Sequence, residues 1–163
     1  MKKFMKSMLL GISGVALAVS SFAAPAAAYV PQGEADGANT VAAIEDDLVP
    51  GEPVIHERGD GVTPPAELGD PSEWGVVKLE IADFSVQGNT CKNVTHGKWC
   101  YGYDLVSDGK KCYSNYSANV KHKTTVRVRN VDHSSGWVAK GKTSYAHSTQ
   151  GAAYTCYAYY DNE

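Results

Sequence analysis

Thr124–Asn130 reads T-T-V-R-V-R-N, and its alternation decides the fold class. Val126 and Val128 fall on one side of an extended chain and Arg127 and Arg129 on the other, the period-two pattern of a half-buried strand. Upstream, Lys98–Leu105 is rich in Trp and Tyr, Ser107-Asp108-Gly109 marks a turn, and Lys111–Tyr116 reads as the return strand of a hairpin. Downstream, Asp132–Gly136 reads as a polar loop and Trp137–Tyr145 as a strand. Gln150-Gly151 is the last turn, and Ala153–Tyr160 is the closing strand. Further back, Val77, Leu79 and Ile81 alternate with Lys78, Glu80 and Ala82. No stretch sustains helical periodicity. The pattern predicts an all-β domain over residues 74–163, a small antiparallel sandwich or barrel.

Charge divides the 163 residues into three unlike parts. Residues 1–28 carry only Lys2, Lys3 and Lys6; residues 29–90 hold thirteen acids against Arg58 and Lys78; residues 91–163 hold ten Lys or Arg against five acids. The first part has a cationic start, an uncharged apolar core at Met8–Val19 and small residues at Ala26-Ala27-Ala28, the three components of a secretory signal peptide. Its core is shorter than the roughly 20 apolar residues that cross a bilayer. Cleavage is expected between Ala28 and Tyr29, with Ser21–Ala23 as the alternative, leaving a secreted, extracellular protein. Residues 29–73 are dominated by Pro, Gly, Ala and acids, with few side chains to offset the cost of ordering the backbone, and are expected to be a disordered acidic linker or pro-segment. Such a segment is either a solvated linker or an internal shield for the cationic tail. Arg58-Gly59-Asp60 matches an adhesion tripeptide, a motif too short to assign a function.

Cys91, Cys100, Cys112 and Cys156 all lie in the basic tail. In an oxidising compartment four thiols imply two disulfides. Of three possible connectivities, the sequence favours Cys100–Cys112 across the first hairpin and Cys91–Cys156 between the domain ends. The intervals do not fit a zinc site, and His56, His96, His122, His133 and His147 are not spaced as a metal pair, so no metal is expected. No G-x-S-x-G, H-E-x-x-H, phosphate-binding loop or EF-hand is present, so neither a catalytic residue nor a cofactor is assigned and enzymatic activity is not expected.

Nine of the ten tyrosines lie in the tail beside its cations. Cations meet phosphate and amphipathic rings pack at interfaces, so this composition suits an anionic ligand with apolar or sugar parts; export disfavours nucleic acid. Lys121, Lys123, Arg127 and Arg129 are the candidate ligand-binding residues, both arginines being expected to point outward together. Trp99 and Trp137 are expected in the core.

The order His96-Gly97-Lys98-Trp99, Tyr101-Gly102-Tyr103, Tyr113-Ser114-Asn115-Tyr116, His122 before Thr124–Val128, Gly136-Trp137-Val138-Ala139-Lys140 and Tyr157–Tyr160 resembles the lactococcin-972-like bacteriocins over residues 96–163. The resemblance implies export and a β-sandwich of two three-stranded antiparallel sheets. It also implies killing of related Gram-positive bacteria by binding the cell-wall precursor lipid II and blocking septum formation without pores. An exporter and an immunity membrane protein are the partners it implies. The four cysteines and the long acidic segment lie outside the family's usual pattern. The rival expectation is a secreted, non-toxic cell-surface or adhesion module.

Overall fold

Strand β9 (Cys156–Asn162) runs through the middle of the larger of two antiparallel sheets, so every residue in it must suit a buried environment on one side or the other. The computed structural model describes residues 41–163; the expected signal peptide and residues 29–40 lie outside the described residues. The other strands are β1 (Val54–Glu57), β2 (Glu73–Leu79), β3 (Thr90–Val94), β4 (Gly97–Val106), β5 (Gly109–Ala118), β6 (His122–Val128), β7 (Val131–Ser134) and β8 (Thr143–Gln150). One sheet has the order β1-β2-β9-β6-β7 and the other β3-β4-β5-β8. The fold is all-β, as expected, with five and four strands in place of three and three. Strands β4 to β9 form two three-stranded sheets, β4-β5-β8 and β9-β6-β7, while β1 and β2 extend one and β3 the other.

Alternation sorts the side chains into layers. Between the sheets lie Trp99, Tyr101, Tyr103, Cys112 and Tyr116 from one, and Val77, Leu79, Val126, Val128, Cys156, Ala158 and Tyr160 from the other. The Tyr160 ring sits 4.8 Å from Trp99 and 4.7 Å from Tyr116, tilted against both; such pairs add about 0.5–1.5 kcal/mol each beyond area burial. It fits because its cross-strand neighbour is Gly75, where a Cβ would meet the ring at 2.3 Å. One hydrogen-bond chain crosses this layer: Trp99 Nε1 donates to Ser114 Oγ at 2.9 Å, and Ser114 Oγ donates to the Tyr159 carbonyl of the opposite sheet at 2.7 Å.

Several sequence boundaries shift. The polar stretch Asp132–Gly136 contributes most of β7, because Arg129 and Asn130 both take positive φ (53° and 59°), the requirement of a two-residue hairpin turn. Trp137–Tyr145 is a strand only from Thr143; before it, Val138 makes an isolated bridge to His122, and Trp137 is 43% exposed rather than in the core. Ile81 likewise lies beyond β2 and is exposed.

The acidic segment is ordered from Val41 onward, against the expectation of disorder through residue 73. Strand β1 adds to the edge of the five-stranded sheet, while helix α1 (Val41–Asp47) and a 3-10 turn at Ala66–Leu68 lie along its outer side. Leu48 and Leu68 are buried against Trp74, Val76 and Tyr159, which makes a second, smaller core. Few apolar residues suffice because the sheet supplies the other half of the contact.

The cysteines pair Cys91–Cys100 and Cys112–Cys156, so the count of two bridges holds and the favoured connectivity does not. Register explains it. In the β4–β5 hairpin Cys112 stands opposite Tyr103 on the inner face, whereas Cys100 stands opposite Asn115 on the outer face and directly beside Cys91 of β3. Cys112 instead reaches across the core to Cys156. In the chain-entropy picture, closing a span of 44 residues stabilises by roughly 4 kcal/mol and one of 9 by roughly 2.7 kcal/mol. Peptide mapping of unreduced protein should recover Cys91–Cys100 and Cys112–Cys156. The Cys112→Ala/Cys156→Ala variant should lose more stability in urea than Cys91→Ala/Cys100→Ala.

Candidate functional site

The four candidate cations on and beside β6 do not form one open surface. Lys123 and Arg127 alternate with inward-facing Val126 and Val128, as the sequence requires, but the side they face is covered by the acidic segment; both are only 9% exposed. Arg127 is ringed by carboxylates. Its Nε donates to Asp132 Oδ1 at 2.8 Å, Nη2 to Asp132 Oδ2 at 3.1 Å and Nη1 to Glu45 Oε1 at 2.9 Å, and Glu67 abuts the guanidinium. Tyr159 donates its hydroxyl to the same Glu45 oxygen. Burial opposes the charge, but Asp132, Tyr159 and Glu45 outweigh it and hold the Arg127 pKa above its ordinary value. Lys123 Nζ donates to the Glu67 carbonyl at 2.9 Å and the Leu68 carbonyl at 3.4 Å and lies 3.5 Å from Asp161.

Lys121 stays half exposed and pairs with Glu163; its ammonium and that of Lys123 both lie 4.8 Å from the centre of the Trp137 ring. Arg129 leaves the alternation because it occupies the β6–β7 turn, where its guanidinium lies over Tyr154 at 4.7 Å. The tripeptide at Arg58 is also engaged internally: Arg58 binds the backbone and carboxylate of Asp70, and Asp60 accepts from His56 and from Val62 N–H.

The other sheet carries an open face. Outward residues of β5 and β8 meet in register, Tyr113 beside His147 and Asn115 beside Tyr145. With Lys111 and Asn89 they line a cavity of about 360 Å³, inside the roughly 300–1,000 Å³ range of small-molecule sites. Tyr145 is 65% exposed. Burial first, and the nearby Asp104 carboxylate second, push the Tyr113 hydroxyl up to about 12, so it stays protonated and able to donate. None of these residues stood out as a ligand-binding candidate in the sequence, yet two signals pointed to them. In Tyr113-Ser114-Asn115-Tyr116, period two sends Ser114 and Tyr116 into the core and Tyr113 and Asn115 out. In Ser144–Thr149 the small residues Ser144, Ala146 and Ser148 are buried and the large ones exposed, which reverses the usual assignment of aromatics to the core.

Two measurements follow from the covered face. Arg127→Gln strands Glu45, Glu67 and Asp132 without their cation and should cost about 2–3 kcal/mol in urea unfolding, below the full buried-pair penalty because Glu67 and Asp132 keep some solvent. Arg129→Gln should stay within about 0.5 kcal/mol of the parent. Asp161 sets a pH dependence: burial raises its carboxyl from 3.8 to about 7 against the pull of Lys123. Between those values the unfolded chain has released a proton that the folded protein still holds, so this group lowers stability as pH rises from about 4 to 7. Asp161→Asn should therefore gain on the parent steadily across that window and stay level above pH 8, measured by urea unfolding at each pH.

Residues 96–160 match a family model described as Bacteriocin (Lactococcin_972). No curated protein and no solved structure matches the chain. The matched segment begins just before β4 and ends within β9, so it spans the six strands of the two nested three-stranded sheets, together with every lining residue of the open cavity except Asn89. The resemblance read from the motifs thus holds over this stretch: residues 96–160 are similar to the lactococcin-972 bacteriocin family.

Proposed function

We propose that the protein is a secreted antibacterial protein that binds the cell-wall precursor lipid II and blocks septum formation in related Gram-positive bacteria. The observation that carries this reading is the bacteriocin-family match over residues 96–160, the segment that supplies both central sheets and most of the open cavity. Further support comes from the leader pattern at residues 1–28 and from two disulfides suited to an oxidising exterior. The protein acts by binding rather than by catalysis, and its partners in the producing cell are an exporter and an immunity membrane protein.

The mode of action distinguishes this reading from an adhesion module. Purified, oxidised protein beginning at Tyr29 should inhibit growth of related Gram-positive strains, with enlarged cells lacking septa and no leakage of a membrane-impermeant dye. It should also co-sediment with phosphatidylcholine vesicles containing lipid II and not with phosphatidylcholine alone. Retention on cells without growth inhibition or lipid II binding would favour the adhesion reading instead.

A further inference from the structure

We propose that the cavity on the outer face of β5 and β8 is a saccharide site. A pyranose ring presents C–H groups on its faces and hydroxyls around its rim. A site that holds one needs an exposed aromatic face beside fixed hydrogen-bonding groups that both donate and accept. Tyr145 supplies the exposed ring. The Tyr113 hydroxyl and the amides of Asn89 and Asn115 each supply a donor and an acceptor, and Lys111 adds a cation.

The same inventory argues against other occupants. A lipid chain would leave the amides of Asn89 and Asn115, the Tyr113 hydroxyl and the Lys111 ammonium without polar partners. The charge of the lining is also balanced, because Lys111 lies directly opposite Asp104 across the β4–β5 pair, and Asp104 is close enough to act on Tyr113. A bare phosphate would find one lysine in the lining, Lys111, with a carboxylate opposite it across the strand pair. The strongly cationic strand lies on the other sheet, beneath the acidic segment.

The backbone that carries the site is held in place, which limits the entropy lost on binding. Gly102 of β4 has φ 154°, and a Cβ there would meet the Gly88 carbonyl at 2.0 Å and the Tyr113 hydroxyl at 2.9 Å. The missing side chain lets the loop before β3 lie flat on β4, held by the Gly88 N–H to Tyr103 carbonyl bond of 2.8 Å. Two residues beyond Asn89, the Cys91–Cys100 bridge pins the start of β3 to β4. The backbone on either side of Asn89 is thereby held where its side chain can line the cavity with Tyr113.

This assignment deepens the function proposed above and rests on it for the source of the sugar, the lipid-linked precursor as opposed to assembled wall glycan. Two-dimensional NMR titration of the chain from Tyr29 with chitotriose tests the site directly. Amide shifts should concentrate in Lys111–Asn115 and Tyr145–His147. Tyr145→Ala and Asn115→Ala, which alter exposed or half-exposed side chains, should melt like the parent and bind about tenfold more weakly. Vesicles carrying lipid II and purified peptidoglycan serve as separate arms, and the first should be bound more tightly. If chitotriose leaves these amides unmoved and Tyr145→Ala binds lipid II vesicles as the parent does, the site is wrong while the proposed function stands. If the amides move and both variants weaken chitotriose binding, but the parent neither binds lipid II nor inhibits growth, the site stands and the proposed function falls.

Discussion

The rest of the structure depends on the requirement that β9 be buried on both faces. A strand at the centre of a sheet, with a second sheet on one side and an added layer on the other, sends successive residues into different cores. Tyr160 enters the aromatic layer between the sheets, where Gly75 makes room for it. Tyr159 enters the outer layer, where its hydroxyl meets Glu45. Burial raises the pKa of both hydroxyls, and each then donates to a carboxylate, Tyr160 to Glu73 at 2.6 Å and Tyr159 to Glu45. Two adjacent tyrosines thus tie together three layers, and loss of the outer layer would leave a large ring and a cationic strand uncovered.

That outer layer explains the opposite charges of the middle and the tail. Arg127 costs free energy to bury, and Asp132 and Glu45 offset the cost with directed hydrogen bonds while Glu67 adds a third nearby negative charge. Lys123 is satisfied differently, by backbone carbonyls of the 3-10 turn and by Asp161. The apolar contribution is modest, mainly Leu48 and Leu68 against Trp74, Val76 and Tyr159. Electrostatic matching therefore determines where the segment lies, while the apolar contacts hold it against the sheet.

Period-two alternation made most of the strands and the two-sheet arrangement legible in the sequence. β4, β5 and β6 appear within a residue or two of where their patterns put them, and the turn at Ser107-Asp108 lies where the hairpin was expected. Properties that depend on register between strands were not legible. Sequence spacing alone does not show that Cys100 and Cys112 fall on opposite faces of their hairpin. The order in residues 41–73 was hidden because its apolar content suffices only against a sheet supplied by distant sequence. For Arg127 the direction was right and the environment was not, since alternation gives a side and not what lies over it. Trp137 was misplaced because size was taken to imply burial, whereas a ring beneath two ammonium groups has a polar reason to stay near solvent.

The open face follows from the same packing constraint. Trp99, Tyr101, Tyr103 and Tyr116 fill the space beneath β4 and β5, which leaves little volume for side chains entering from β8. The inward residues of β8 are accordingly Ser144, Ala146 and Ser148, and its larger residues, Tyr145 and His147, are directed outward. Beside them stand Tyr113 and Asn115, outward because Ser114 must receive the Trp99 indole and pass a hydrogen bond to β9. The filling of the core thus determines the composition of the face opposite it. With the acidic segment over one sheet, this face of the other offers rings and amides carried on paired strands.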